Sequence, residues 1–329
     1  MDAMRSLQWI ALLEKIDRRH LEATWVYPSV PKDHLQVLLH RINMDAPRPD
    51  KFFVKFQDAW VYASHPLVAT EAVVVVASKC FDPEKYAALL DVLVGEFEAA
   101  SSSPLALLRV YLELLTAGQY TNPSTNVSFV WNKNQAIAPY VPTAYTLQTF
   151  MHMFQDDSAI VWLAILAKKR VVVVSDTVDE LLETTRCLPQ FAWHRQDWNI
   201  LRPFTRLTRA ELHDLDAIGV YIAGVLVADL VQASAPPPYD VLVDVSKRSV
   251  VVAEGAAGLL FAGMAWHNEC TEFVARLRRH HQHDANHVLD DVANKTLGLI
   301  DSLRTNALTT VDGIEEPLMW AVAVAEELV

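Results

Sequence analysis

The pattern of apolar and polar positions in the first third of the chain predicts a sheet with one inserted helix and two helices at its end. Runs of apolar and alternating residues indicate strands at 7–16, 21–27, 52–56, 60–62 and 73–76. Apolar residues at helical spacing, preceded by Pro31, indicate a helix that contains Leu35, Leu38, Leu39 and Ile42. Two further helices are expected, one capped by Asp82 with Pro83 in its first turn and one over 105–115.

The rest of the chain alternates helix and strand, which is typical of a parallel sheet. Helices are expected at 144–167, 179–187 and 208–217, and strands at 170–175, 219–227, 239–245 and 249–253. Thr208 and Glu211 have the spacing of a capping box. Further helices are expected at 261–281, 285–303 and 317–328. The predicted fold class is α/β: an α+β lobe over 1–120, a linker over 121–143, an α/β lobe over 144–258 and a helical part over 259–329.

Composition and charge exclude some classes of protein. Hydrophobic residues make up 52% of the 329 residues and charged residues 21%, which is ample material for a folded core. The formal net charge is −12, so the chain would repel the phosphates of a nucleic acid, and nucleic-acid binding is not expected. The longest apolar runs reach roughly half the length of a membrane span. A transmembrane segment is therefore not expected, and any membrane contact would be peripheral.

The cysteines indicate a reducing compartment. Cys80, Cys187 and Cys270 are odd in number and far apart, which is typical of free thiols in a cytoplasmic protein. Because no Cys-x-x-Cys pair occurs, a structural zinc site of the usual kind is not expected. The apolar stretch near the N-terminus runs into Glu14 and Lys15 without a small-residue cleavage site. It is therefore interpreted as a first strand and not as a signal sequence.

Few motifs support covalent chemistry. None of the nine glycines lies in a GxGxxG or GxxxxGK[ST] frame, and no GxSxG elbow occurs, so no cofactor and no catalytic residue are expected. His283 and His287 have the spacing of a zinc-protease helix, with Asp284 after the first. Asp284 would also suit a helix N-cap, which would place His283 outside the helix. Two interpretations of this segment therefore stay open: the metal site of an orphan α/β enzyme, and a solvated loop between helices. His194 and Asp197 likewise fit an acid–base pair or a polar turn.

Three stretches of the second lobe resemble motifs of the DENN-domain family. The strand 169–175 (KRVVVVS) resembles the family's strand of two basic residues, hydrophobic residues and serine. The segment 188–193 (LPQFAW), followed by Trp198 and Pro203, resembles its Pro-x-x-x-Trp segment. The strand 239–245 (YDVLVDV) resembles its Asp-x-x-hydrophobic-Asp strand. Together they identify the second lobe as similar to the central DENN module.

Further blocks resemble a small, single-module member of the same family. They occur in the same order in both and cover nearly the whole chain, at 27–29, 81–88, 193–198 and 219–224. The chain departs from that member in the loop after Leu226, in the alanine-rich segment 255–263 and in a shorter final helix. All three departures lie after Leu226.

The resemblance implies a longin-like (uDENN) lobe, a central α/β (cDENN) lobe and terminal (dDENN) helices within the boundaries given above. DENN proteins generally bind Rab GTPases and promote exchange of GDP for GTP. The single-module member is associated with the Commander assembly of endosomal recycling, through its coiled-coil subunits, and with late-endosomal Rab function. Two roles are thus implied: a protein-binding subunit, cytoplasmic and peripheral on late or recycling endosomes, or a Rab exchange factor.

Candidate partner-binding residues lie in both lobes. Trp25 and Tyr27 share one face of the second strand, and large amphipathic aromatics on the open side of a longin sheet would anchor a partner. The alternative is that both pack beneath the first helix. Arg195 and Asp197 are further candidates, which are expected to face solvent.

Overall fold

Two units make up the chain, Met1–Tyr140 and Val141–Val329. They are described by a computed structural model at residues 6–17, 20–42, 49–65, 72–124, 127–131, 146–233, 236–261, 264–279, 285–309 and 317–328. Helices and sheets are present in both units, so the predicted α/β class is confirmed. The finer division into a longin-like lobe, a linker, a central lobe and a helical part stays a prediction.

The first unit is built on a five-stranded antiparallel sheet in the order β2-β1-β5-β4-β3. Its strands are β1 (Leu7–Asp17), β2 (His20–Tyr27), β3 (Lys51–Phe56), β4 (Ala59–Ser64) and β5 (Ala72–Ser78). The helices are α1 (Lys32–Ile42), α2 (Pro83–Ala99) and α3 (Pro104–Ala117). The order of strand, strand, helix, three strands and two helices is the order that the sequence predicted.

Helices cover both faces of this sheet. On one face the ring of Tyr62 in β4 stacks on Tyr86 of α2, with 4.4 Å between the ring centroids. Phe56 in β3 points to the opposite face, where its ring lies 6.5 Å from His34 of α1. Because both faces are covered, β3, β4 and β5 are almost continuously buried instead of alternating between buried and exposed positions.

Local sequence signals set the ends of the helices in this unit. Asp82 caps α2, since its Oδ1 accepts a hydrogen bond from the backbone N of Lys85 at 3.1 Å. Gly118 ends α3 with a φ of 71°, a conformation that glycine adopts without strain. A two-stranded hairpin follows, formed by β6 (Gln119–Thr121) and β7 (Ser128–Val130). This hairpin occupies part of the stretch that the sequence predicted to be a linker.

The second unit is built on a five-stranded sheet in the order β12-β11-β8-β10-β9. Its strands are β8 (Val171–Ser175), β9 (Leu201–Thr205), β10 (Ile222–Leu226), β11 (Val241–Asp244) and β12 (Ser249–Val252). All neighbouring pairs are parallel except β11 and β12. The parallel sheet agrees with the predicted alternation of helix and strand.

Helices and one 3₁₀ helix complete the described part of the second unit. They are α4 (Leu147–Phe154), α5 (Asp157–Leu166), α6 (Val178–Cys187), the 3₁₀ helix Leu188–Ala192, α7 (Arg209–Ile218), α8 (Val227–Gln232), α9 (Glu254–Leu260), α10 (Met264–Arg279), α11 (Ala285–Thr309) and α12 (Pro317–Ala325). The predicted capping box at the start of α7 is confirmed, with reciprocal bonds between Thr208 and Glu211. No helix within the described ranges has the length and apolar character needed to cross a membrane.

Some predicted helix boundaries differ from the structure. The single helix expected over 144–167 is two helices, α4 and α5, because Gln155 adopts a left-handed φ of 51° that ends the first one. The strand expected over 219–227 ends at Leu226, and α8 begins at the next residue, Val227. In both places the apolar pattern continues across the break, so the pattern alone does not reveal it.

The core of the second unit is centred on α5, which is buried on all sides. Trp162 in this helix is fully buried, and its Nε1 donates a hydrogen bond to Oγ1 of Thr296 in α11 at 3.1 Å. The hydroxyl of Thr296 in turn donates to the backbone O of Phe191 in the 3₁₀ helix at 3.3 Å. These two bonds fix a C-terminal helix against the centre of the unit.

Candidate functional site

The predicted aromatic patch lies on β2, one of the two edge strands of the first sheet. In the register with β1, Tyr27 is opposite Ile10 and Trp25 is opposite Leu12. The side chain of Tyr27 is 37% exposed, and Trp25 is half-buried. The two rings therefore lie at an edge of the sheet, where part of each remains accessible.

Tyr27 lies on the sheet face that α3 covers. Its ring meets the ring of Tyr111 edge-on, with 5.6 Å between the centroids. The hydroxyl of Tyr111 donates to the backbone O of Gln8 at 3.2 Å, and burial raises the pKa of Tyr111, with a further contribution from Tyr27. The sequence placed Trp25 and Tyr27 on an open face, or alternatively beneath α1. The structure instead places Tyr27 at the rim of the face that carries α3, because the register turns this side of β2 toward that helix.

A cavity of about 240 Å³ opens in the second unit, at the edge of the sheet where the parallel strands begin. It is bounded by residues that precede or start β8, β9 and β10, together with the end of α5 and the 3₁₀ helix. Its lining consists of Ile165, Lys168, Lys169, Pro189, Ala192, Arg195, Asp197, Ile200, Ile218, Val220 and Ile222. The structure thus brings two predicted site residues, Arg195 and Asp197, to one mostly aliphatic cavity.

Arg195 is held inside the unit and does not face solvent as the sequence predicted. Its side chain is only 15% exposed. The guanidinium donates to the backbone oxygens of Ile165 at 2.9 Å and Leu166 at 2.6 Å, at the end of α5. Its Nε also donates to Oε1 of Glu326 at 2.9 Å. The physical reason is that carbonyl groups at a helix C-terminus need donors, and a guanidinium can satisfy several acceptors at once.

Glu326, just after α12, connects the C-terminal helix to this cluster. Its Oε1 lies 3.0 Å from Nε2 of His194 and also accepts from Arg195, and its side chain is 12% exposed. Burial alone would raise the pKa of Glu326, but the hydrogen bond with His194 and the charge and hydrogen bonds of Arg195 lower it to about 2. The carboxylate is therefore ionised at neutral pH and binds α12 to the segment that follows the 3₁₀ helix.

Asp197 lies in a polar turn. Its Oδ1 accepts a hydrogen bond from the backbone N of Asn199 at 2.9 Å, as in an Asx turn. The rings of Trp193 and Trp198 meet edge-on on either side, 6.5 Å apart. Because His194 pairs with Glu326 and Asp197 with the backbone, the structure favours the polar turn over the acid–base pair that the sequence left open.

Two residues of the DENN-like motifs pair between the neighbouring strands β8 and β11 of the second sheet. Arg170 donates to Asp240 through its backbone N at 2.8 Å, its Nε at 3.1 Å and its NH2 at 3.0 Å. Burial alone would raise the pKa of Asp240, but the hydrogen bonds and charge of Arg170 lower it. The basic residue of one motif and the first acid of another are therefore a structural pair that joins the starts of β8 and β11.

The histidine pair with zinc-protease spacing, His283 and His287, lies only partly within the described residues. His283 and the neighbouring Asp284 lie outside them. α11 begins at Ala285, and His287 is exposed in its first turn. Within the ranges that the structure describes, no group of three or more His, Cys, Asp or Glu side chains is placed to hold a metal ion. The choice between a metal site and a solvated loop at this position stays a prediction.

Two residues of the candidate site were missed by the sequence analysis. Glu326 is separated from Arg195 by 131 positions, so no local pattern connects them. Lys168 was not among the candidate residues, yet it lines the cavity and has a left-handed φ of 50°. Its signal in the sequence is faint: a basic residue directly after a long apolar helix, where glycine is the usual residue.

The second unit contains a stretch that matches a known family. Residues 144–254 match the family described as SPA: Stabilization of polarity axis. Relatives also align across most of the chain, and several share one name. DENN domain-containing protein 10 of Danio rerio is 29% identical over 312 residues, which cover 91% of this chain and 86% of the relative. The resemblance to the DENN-domain family is confirmed.

DENN domain-containing protein 10 of Homo sapiens is 27% identical over 315 residues, covering 92% of this chain and 86% of the relative. The protein of that name in Dictyostelium discoideum is 28% identical over 290 residues, covering 80% and 77%. The similarity to DENN domain-containing protein 10 thus extends well beyond residues 144–254 and includes much of the first unit.

Proposed function

We propose that this chain is a protein-binding subunit of a Commander-like assembly in endosomal recycling and membrane trafficking. The observation that carries the proposal is the extent of the similarity: relatives from distant organisms, all named DENN domain-containing protein 10, align over 80–92% of the chain. Its partners would be the coiled-coil subunits of such an assembly. The chain would then be cytoplasmic and recruited peripherally to late or recycling endosomes.

The candidate sites support a role in binding proteins. Tyr27 presents a partly exposed ring at the edge of the first sheet. In the second unit, aliphatic walls surround a cavity whose mouth carries cationic side chains. Docking sites commonly combine a large apolar anchor with a few polar groups that fix orientation. Each unit thus offers one place where a partner could be anchored.

A pull-down with the tagged full-length chain, followed by mass spectrometry, tests the proposal. Coiled-coil subunits of a Commander-type complex are expected in stoichiometric amounts. A washed complex that contains a Rab GTPase and no coiled-coil subunit would contradict the proposal and favour the alternative below. The same experiment with the variants described below then identifies the surface that binds.

Tyr27→Lys is expected to abolish partner capture with little effect on the melting temperature. Loss of a buried aromatic anchor lowers affinity by about 30-fold or more. The edge-on contact with Tyr111 is the stabilising contact that is lost, and such ring pairs contribute only about 0.5–1.5 kcal/mol. Val37→Lys is the matched control, because Val37 is an exposed aliphatic residue on α1 of the same unit. Unfolding of Tyr27→Lys would instead identify Tyr27 as a core residue.

A second candidate function is guanine-nucleotide exchange on a late-endosomal or secretory Rab GTPase. The resemblance to DENN proteins, which generally act in this way, favours it. Exchange needs no catalytic side chain, because the factor shifts a population by binding the nucleotide-free GTPase more tightly. Moving such an equilibrium from one extreme to the other needs about 5.5 kcal/mol of differential binding.

Release of a fluorescent nucleotide from a panel of Rab GTPases distinguishes the two functions. Faster release from one Rab at micromolar chain would support exchange activity. If no Rab responds while the pull-down recovers coiled-coil subunits, the scaffold function alone remains.

A further inference from the structure

The cavity where the parallel strands of the second unit begin has the properties of a peptide-binding pocket. We propose that it docks an acidic segment of a partner protein, which inserts one large apolar side chain between the aliphatic walls and places its carboxylates against Lys168 and Lys169. This inference deepens the proposed function and rests on it for the kind of partner. The size of the cavity and its charge support it, and the backbone of Lys168 offers a test of it.

The size and lining of the cavity suit one leucine or phenylalanine side chain. Its volume is about 240 Å³, whereas an apolar cavity of roughly 150 Å³ already holds benzene. Ile200, Ile218 and Val220 form part of the wall and are half-buried, so their aliphatic groups stay partly in contact with water. An apolar side chain that entered would remove this surface from water, which is favourable.

The charges at the cavity select an acidic partner. Lys168, Lys169 and Arg195 are the cationic residues of the lining, and Asp197 is its carboxylate. The charge of Arg195 is matched by Glu326, which leaves two lysines opposite one acid. Within a chain whose net charge is −12, this local positive excess would attract carboxylates and repel cationic segments.

The backbone of Lys168 offers a way to test its side chain, because glycine is the residue that suits this position best. α5 ends in a Schellman motif, in which Lys168 N donates to the backbone O of Ile165 at 3.1 Å and Lys169 N donates to Ala164 at 2.9 Å. The residue after the cap in this motif has a left-handed φ, and Lys168 has a φ of 50°. Glycine would adopt this conformation without strain, whereas lysine does not. Lys168→Gly would therefore remove the side chain and relieve the strain at the same time.

Fluorescence anisotropy with a labelled peptide tests the pocket in the full-length chain. The probe has the sequence Gly-Asp-Glu-Phe-Glu-Asp-Gly, and two control probes replace its Phe with Ala or its acids with Lys. The Phe probe is expected to bind about tenfold or more tightly than either control, because burial of the ring and the charge attraction both contribute. Its affinity should fall as salt is added.

Lys168→Gly separates a binding role from a structural one. The variant is expected to raise the melting temperature by about 1–3 °C, because the strain is removed, and to weaken the Phe probe about fivefold. Arg248→Gly is the matched control: Arg248 is an exposed cation with a φ of 52° in the turn between β11 and β12, and it does not line the cavity. It should gain a similar amount of stability with unchanged affinity for the probe.

Several results would overturn the inference. One is equal binding of the Phe and Ala probes, and another is an equal effect of Lys168→Gly and Arg248→Gly on affinity. A third is that the chain binds no probe but sediments with phosphatidylserine vesicles, which would show that the cations face a lipid surface. The test of the pocket and the test of the proposed function can fail separately. If the Lys168→Gly variant still recovers coiled-coil subunits at the native level, the proposed function stands and the pocket is refuted as the docking site. If the Phe probe binds but the pull-down recovers no coiled-coil subunits, the pocket is supported and the proposed function is refuted.

Discussion

Gly224→Ala is expected to lower the free energy of unfolding of the second unit by about 3 kcal/mol or more. Gly224 lies in the middle of β10, between β8 and β9. A Cβ atom at this position would be 2.1 Å from the backbone O of Pro203 and 3.0 Å from Cγ of Leu181. The closer atom belongs to the backbone of β9 and cannot rotate away. The two strands would therefore have to separate, and the pairing at the centre of the sheet would be lost.

Gly298→Ala is the control for this prediction. Gly298 lies inside α11, and a Cβ atom there would have no neighbour within 4 Å. Alanine is the better helix former, so this variant should gain about 0.5–1 kcal/mol. Urea unfolding followed by circular dichroism measures both variants. A native midpoint for Gly224→Ala would show that β9 and β10 are farther apart than the structure has them.

Glu326→Gln is expected to lower the free energy of unfolding by about 3 kcal/mol at neutral pH. The substitution keeps the shape of the side chain but removes the charge that pairs with Arg195 and His194. Arg195 would remain as a mostly buried cation without an anionic partner, held by the carbonyl groups at the end of α5 and by the neutral amide oxygen of the new side chain. Because Glu326 connects α12 to the rest of the unit, the C-terminal helix should exchange its amide hydrogens faster in this variant.

The effect of Glu326→Gln should depend on pH in a defined direction. The pKa of Glu326 is lowered from 4.5 to about 2 in the folded chain. Its contribution to stability is therefore complete above about pH 4.5 and is lost as the pH falls to about 2. The difference in unfolding free energy between the native chain and the variant should shrink over this interval. A difference that stays constant would mean that the carboxylate is not paired.

Glu327→Gln is the matched control, because the side chain is the next acid in the sequence and is exposed. Substitutions at exposed positions away from special contacts change stability by less than about 0.5 kcal/mol. The control variant should therefore follow the native chain at every pH at which the two are compared. An equal loss in both variants would assign the effect to the C-terminal charge in general and not to the cluster.

Most of the architecture was predictable because it follows from short-range chemistry. The two-residue turn after Phe56, the cap at Asp82 and the capping box of Thr208 and Glu211 each depend on residues a few positions apart. The same holds for the alternation of helices and strands from residue 147 onward, which indicated a parallel sheet. Element boundaries were less predictable, since the left-handed turn at Gln155 interrupts an apolar pattern without changing it.

The candidate site was predicted only in part. The sequence selected Arg195 and Asp197 as residues expected to face solvent, and the structure places both at one cavity. It expected Arg195 to face solvent, because arginine side chains are mostly exposed and are rarely buried without a partner. The partner that buries it, Glu326, is supplied by the C-terminal segment, and the carbonyl acceptors come from the end of α5.

The sequence by itself determined the α/β class, the order of the elements in the first unit and the resemblance to DENN proteins, because these depend on periodicity and on local motifs. Only the tertiary structure decided that Tyr27 turns toward α3, that Glu326 binds Arg195 and that Lys168 lines a cavity. The physical reason is that the free energy of these contacts comes from desolvation and from charges brought together by the fold. Those quantities are set by neighbours in space, and distance along the chain carries no information about them.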